Sequence, residues 1–191
     1  MNIVEIRVTL DHVEPAVTRT LQVPDTIRLD RLHMVLQAAM GWEDMHLYAF
    51  TAGGVTWGPP DPNTGGNDRP ADKTTLAEAM ADTGTHRFRY VYDFGDDWLH
   101  RLEIGPGTAP LPGAVYPRLT EVAGRCPPED VGGVPGHEMF LAVMADPTHP
   151  EHDDLRDWHG GDFDPDMPDA DALRSAVLRL ARRWAPRPDR R

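Results

Sequence analysis

At 191 residues, the chain suits one domain spanning 1–191, with a core large enough to fold without a disulfide or a metal. Its single cysteine, Cys126, excludes an intramolecular disulfide and points to a reducing compartment, the cytoplasm. The formal net charge of −12 repels phosphate backbones and anionic bilayers, so nucleic acid is disfavoured as a partner.

The first residues carry no basic and then apolar run, so no secretory signal is expected. Val4, Ile6, Val8 and Leu10 alternate with Glu5, Arg7 and Thr9, the period of a strand with one buried face. A turn near Glu14-Pro15 leads to a second strand around Arg19 to Val23. The period then changes. Leu29, Leu32, Val35, Leu36, Ala39 and Met40 form one helical stripe, with Asp30 in the positive first turn and Gly41 placed to end it. Leu47 to Thr51 reads as a third strand, turning at Gly53-Gly54 into a partner at Val55 to Trp57.

Residues 58–72 are rich in Pro, Gly, Asn and Asp and predict a mobile loop, followed by a short helix from Thr75 to Ala81. A hairpin comes next, in strands over 86–94 and 98–104. Phe88, Tyr90, Tyr92 and Phe94 are expected on one face, and Trp98, His100, Leu102 and Ile104 on a face of the return strand. A Pro/Gly-rich link over 105–117 carries the chain towards Cys126.

The last third predicts helices. One holds Phe140 to Met144 and stops at Asp146-Pro147, in an apolar run too short to cross a bilayer. The next is expected to open on a Thr148–Glu151 capping box and to run towards Trp158. The last carries Leu173, Ala176, Val177, Leu180 and Trp184 on one stripe, with Asp169 or Asp171 as its N-cap and Pro186 as its end. This order predicts an α+β fold with a mixed, mainly antiparallel sheet. It begins strand-strand-helix-strand, adds a later hairpin, and packs helices on the sheet towards the C-terminus.

Three strings exceed what a generic domain requires. They are Tyr92-Asp93-Phe94-Gly95-Asp96-Asp97-Trp98, Cys126-Pro127-Pro128-Glu129-Asp130-Val131-Gly132-Gly133, and Gly160-Gly161-Asp162-Phe163-Asp164-Pro165. Leu32-His33, the run from Gln37 to Trp42, and His46-Leu47-Tyr48 accompany them. Together they resemble the plasmid pRiA ORF-three-like family, which includes insertion-sequence passenger, TnpR-like proteins. The resemblance implies an α+β fold, frequent carriage on mobile elements, and no assigned activity. This chain departs from the family pattern at Thr18, where a Trp is frequent, at Val131, where a second Cys is frequent, and at His137, where a Tyr is frequent.

Asp93-Phe94-Gly95 does not make a kinase, since a glycine-rich nucleotide loop and a His-Arg-Asp catalytic loop are both missing. A resolvase frame and helix-turn-helix spacing are missing as well. Asp93, Asp96, Asp97 and His100 offer hard oxygen and imidazole donors to a divalent cation, although Asp and Gly equally shape turns. Asp162, Asp164 and Asp166 begin with calcium-loop spacing, but Met167 and Leu173 stand where glycine and the bidentate acid belong. His149, His152 and His159 are loose candidates for metal ligation.

The candidate ligand-binding residues are therefore Asp93, Asp96, Asp97, Trp98, His100, Cys126, Glu129, Asp130, Trp158, Asp162 and Asp164. No catalytic residue is assigned and no cofactor is predicted, a divalent metal being the one candidate considered. The leading expectation is a non-enzymatic module that binds a protein or a small molecule, in an accessory role. A metal-dependent hydrolase or nuclease built on the acidic turns is the alternative, and DNA binding through the arginine-rich last helix a weaker one. Asp93, Asp96, Glu129, Asp130, Asp162 and Asp164 are expected to border one shared region.

Overall fold

The computed structural model describes residues 1–59 and 69–185. Eight strands form one sheet: β1 (Ile3–Leu10), β2 (Thr18–Pro24), β3 (Tyr48–Ala52), β4 (Val55–Gly58), β5 (Arg69–Pro70), β6 (Arg87–Tyr92), β7 (Trp98–Ile104) and β8 (Arg118–Ala123). Their spatial order is β5-β4-β3-β6-β7-β1-β2-β8, antiparallel throughout except for the short β4–β5 pair. Two hairpins meet at the centre, where β7 pairs with β1 in the register Val8 to Leu102.

Five helices accompany the sheet: α1 (Leu29–Met40), α2 (Leu76–Thr83), α3 (Gly133–Met144), α4 (His152–His159) and α5 (Ala170–Trp184). The fold is α+β, with three of the helices at the C-terminal end. Strand alternation explains the single core: Ile6, Val8, Leu21, Tyr90 and Leu102 point inward, whereas Glu5, Arg7, Arg87 and Glu103 face solvent. The α1 stripe closes that core with Leu29, Leu32, Val35 and Leu36 fully buried. Gly41 then adopts the left-handed conformation that ends α1, and its N–H reaches the Gln37 carbonyl.

Several expectations need correction. Phe94 leaves the inward face of the hairpin and is 58% exposed, because β6 ends at Tyr92 and Asp93 opens the turn. Residues 118–123 form an edge strand, β8, beyond the expected link. Leu119 is its one buried side chain, so its alternation is faint. α3 starts at Gly133, seven residues before the apolar run, because the glycines and proline of its first turn hide the helical period.

The Thr148–Glu151 box does not form. The Thr148 hydroxyl donates to Asp146 instead, and no side chain caps α4. A capping box does form at α2, where Thr75 and Glu78 satisfy each other's backbone amides. In the expected loop 58–72, Arg69–Pro70 pairs with β4 and Ala71–Lys73 makes a 3-10 turn. Residues 60–68, the rest of that loop, and the tail from Pro186 lie outside the described residues.

Candidate functional site

The β6–β7 turn is built around Asp93. Its backbone is left-handed at φ 56°, and its N–H donates to the Leu47 carbonyl of the neighbouring β3 segment at 2.9 Å. One carboxylate oxygen, Oδ1, accepts from the Gly95 amide at 2.8 Å, the turn-shaping role open to any Asp. The other, Oδ2, lies 3.7 Å from Nε2 of His46.

The second string, 126–133, folds across this turn. Gly132 donates its N–H to an Asp96 carboxylate oxygen at 3.2 Å. Glu129 receives the Tyr92 hydroxyl at 3.0 Å and the Glu43 amide at 2.8 Å. Asp130, also left-handed at φ 56°, places Oδ1 2.9 Å from His46 Nε2. That short separation lacks hydrogen-bond alignment: the nitrogen is shielded from solvent and has no aligned partner among the described residues. His46, Asp93 and Asp130 thus present one ligand atom each, all within 4.8 Å of one another.

Four of the expected acids, Asp93, Asp96, Glu129 and Asp130, therefore border one region. His46 belongs with them; it stands in the His46-Leu47-Tyr48 string but is not among the candidate ligand-binding residues read from the sequence. The signal lay in pairing: Tyr48 stands opposite Tyr92, which sets the preceding His46-Leu47 beside Asp93-Phe94. Asp97 lies on the solvent side of the turn, its N–H spent on the Asp93 carbonyl at 2.7 Å. Asp162 pairs with Arg156 at 2.6 Å and Asp164 caps the Asp166 amide at 2.9 Å. No hydrogen bond or ion pair joins these two acids to the other four among the described residues.

Trp98 and His100 are core residues. The His100 ring is fully buried, and its Nδ1–H donates to the Trp98 and Tyr90 carbonyls, so it turns away from the acids of the turn. Burial pulls its pKa down to about 4. Cys126 is buried too, and burial pushes its thiol up to about 12, which keeps it protonated and unreactive. Trp158 is 50% exposed and packs edge-on against Phe140 above a small pocket shared with Asp130, Met139 and Leu155.

The remaining histidine and arginine candidates have separate partners. His149 accepts from the Glu151 amide, His152 Nδ1 donates to the Val143 carbonyl, and His159 Nε2 meets Arg125 at 3.2 Å. Arg174 pairs with Asp171, and Arg182 and Arg183 stand in the last turn of α5, where its dipole favours cations.

A buried network under the site also escaped the sequence reading. The Asp44 carboxylate meets His33 Nε2 at 2.7 Å, and His33 Nδ1 meets the Tyr90 hydroxyl at 2.8 Å. Gln37 donates its amide to that hydroxyl at 3.0 Å and accepts from the Asp44 amide at 3.1 Å. Burial lowers the His33 pKa, so its ring is neutral: Nε2–H donates to Asp44 and Nδ1 accepts from Tyr90. Tyr48 stacks on the same ring at 3.6 Å. The network fixes the 42–46 segment that carries His46.

The fold is a mainly antiparallel α+β sheet whose β6–β7 turn and 126–133 string gather acids around a histidine. The chain belongs to the plasmid pRiA4b ORF-3-like protein family, whose model it matches over residues 2–172. It is 46% identical over 185 residues to the uncharacterized protein y4hQ of Sinorhizobium fredii (strain NBRC 101917 / NGR234), covering 96% of this chain and 95% of that one. Its fold is similar to the crystal structure of MM3350, a protein of unknown function from Methanosarcina mazei Go1. The TM-score is 0.81 at 30% identity, over 89% of this chain and 96% of the other. Among the described residues no helix is long and apolar enough to cross a membrane.

Proposed function

We propose that this protein is a non-enzymatic binding module whose surface is organised by a divalent cation held by His46, Asp93 and Asp130. The observation that carries the reading is His46 Nε2, shielded from solvent and unaligned with any hydrogen-bond partner, beside two carboxylates. Like-charged carboxylates at this spacing repel each other, and a cation between them removes that repulsion. One imidazole and two carboxylates suit zinc or manganese better than calcium.

Asp96 and Glu129 bind backbone amides and a hydroxyl, and so hold the two strings in place. Three protein donors leave coordination positions open, where a partner's donor atom completes the shell. This is the physical form an accessory role takes here.

The test is elemental analysis of protein purified without chelator, with calorimetric titration of Zn²⁺ and Mn²⁺. Roughly one ion per chain is expected, bound at least ~10-fold more weakly by His46→Ala or Asp130→Asn. No saturable binding, or binding indifferent to both substitutions, overturns the reading.

One observation favours a second reading. Open positions on a three-donor centre are also what metal-activated water requires. Turnover of an activated phosphoester or carboxyl ester by the Zn²⁺- or Mn²⁺-loaded protein, lost in His46→Ala, replaces the binding module with a hydrolase.

A further inference from the structure

A second, chemically opposite site lies behind Trp42. Along β2, Arg19, Leu21 and Val23 alternate on the inward face, so Arg19 stands where the pattern calls for an apolar residue. Its side chain is only 1% exposed. Nε donates to the Ala39 carbonyl at 2.7 Å, and Nη1 to the carbonyls of Thr18 and Ala123 at 2.8 and 2.7 Å, with Gly124 at 3.1 Å. The α1 C-terminus thus offsets part of the charge. Nη2 is buried and has no partner among the described residues.

A buried guanidinium stays charged and calls for a counter-ion. None is supplied. No carboxylate makes an ion pair with Arg19 or Arg125 among the described residues, although Glu129 and Asp169 line the same cavity. Glu129 is engaged by Tyr92 and Glu43, and Asp169 caps the Ala172 amide at 2.9 Å. The Cys126 thiol, protonated through burial, contributes no negative charge.

Arg19 lines a cavity of about 210 Å³, whose walls include Trp42, Cys126, Phe163 and Leu173. Arg125 lines it too, held 4.5 Å above the Phe163 ring and bonded to His159. Two guanidinium groups without a carboxylate partner therefore share a cavity walled largely by apolar side chains, in a chain of net charge −12.

We propose that this cavity binds a small organic carboxylate, its charged end on Nη2 of Arg19 and on Arg125, its apolar body between Trp42, Phe163 and Leu173. Charge-assisted hydrogen bonds to guanidinium fix the anionic end, and apolar walls select a hydrophobic body over a bare oxyanion. The site is independent of the cation centre, since it uses neither His46 nor Asp93 nor Asp130.

Two-dimensional ¹⁵N NMR of the full chain tests this. The Trp42 indole N–H, which donates to the Pro127 carbonyl at 2.9 Å, and the Arg19 Nε–H report on the two sides of the cavity. Titration with sodium benzoate is expected to shift both signals saturably. Benzamide, its uncharged analogue, leaves them in place, and inorganic phosphate binds at least ~10-fold more weakly, a difference of ~1.4 kcal/mol.

Arg125→Gln, at a partly exposed position, weakens benzoate binding several-fold while leaving the amide spectrum dispersed. Arg19→Met, if it folds, abolishes it. An equal response to benzamide, phosphate binding as tight as benzoate, no saturable shift, or an unchanged affinity in Arg125→Gln overturns the proposal.

Discussion

Gly133 lies against the Asp96 backbone so closely that a Cβ built on it falls 2.6 Å from the Asp96 carbonyl oxygen. This contact, with the bond from the Gly132 amide to the Asp96 carboxylate, locks the 126–133 string onto the β6–β7 turn. The approach is possible only without a side chain, and Gly133 also holds a left-handed φ of 67°.

Gly133→Ala is therefore expected to destabilise the fold by more than ~3 kcal/mol, because a backbone carbonyl cannot swing aside. Gly54→Ala is the control. Gly54 has φ 80° but nothing within 4 Å of its Cβ position, so only the left-handed penalty of ~1–2 kcal/mol applies. Chemical denaturation of both variants measures the difference, and equal losses would mean that the Asp96 contact yields easily.

The hairpin offers a second test. Phe88 and Phe94 look equivalent in an alternating run, yet Phe88 is buried and Phe94 stands in solvent. Phe88→Ala is expected to cost ~3–5 kcal/mol. Phe94→Ser should stay within ~0.5 kcal/mol of the parent. Urea midpoints of the two variants decide it, and a large loss at Phe94 would return that side chain to the core.

That pair shows where sequence pattern suffices and where it fails. The α1 stripe was legible because Leu29, Leu32, Val35 and Leu36 each need burial and only a helix puts them on one face. β8 was not, since burying Leu119 alone leaves no alternation to read. The acids of the turn strings were visible as residues, but the spacing of local motifs carries no information on which of them meet. His46 joins Asp93 through the β3–β6 pairing, and Asp130 joins both through the Gly133 contact. Asp162 and Asp164 have the same composition and solve only their own turn. The inward place of Arg19 on β2 went unread in the sequence, and among the described residues no carboxylate makes an ion pair with it.

Tyr90→Phe tests the network beneath the site. Removing the hydroxyl leaves His33 Nδ1 and the Gln37 amide without their shared partner inside the core. A loss of ~1–3 kcal/mol is expected, the cost of unsatisfied buried polar groups. Because the network positions the 42–46 segment, metal affinity at His46 should fall as well. Stability lost without any change in affinity would show that the segment is held without the network, by Trp42 packing and the Glu43 amide bond to Glu129.

The last prediction concerns acid. The His100 pKa is pulled from its ordinary 6.5 down to about 4, chiefly because burial disfavours the charged ring. Below pH 6.5 the unfolded chain therefore binds a proton that the folded chain refuses. Stability rises with pH wherever the unfolded state holds more protons, so this contribution is complete above about pH 6.5 and is lost as pH falls towards 4. Its size is on the order of 3–4 kcal/mol, since a difference in proton affinity is worth about 1.4 kcal/mol per tenfold. His33 and His137 are shifted in the same direction by burial and steepen the slope. His100→Phe removes one titrating ring while keeping an aromatic beside Trp42, so its stability should fall less between pH 6.5 and 4 than that of the parent. Urea denaturation at half-unit steps across this window measures both slopes. Parallel curves for the parent and His100→Phe would show that the buried His100 ring takes up a proton in the folded state as readily as in the unfolded one.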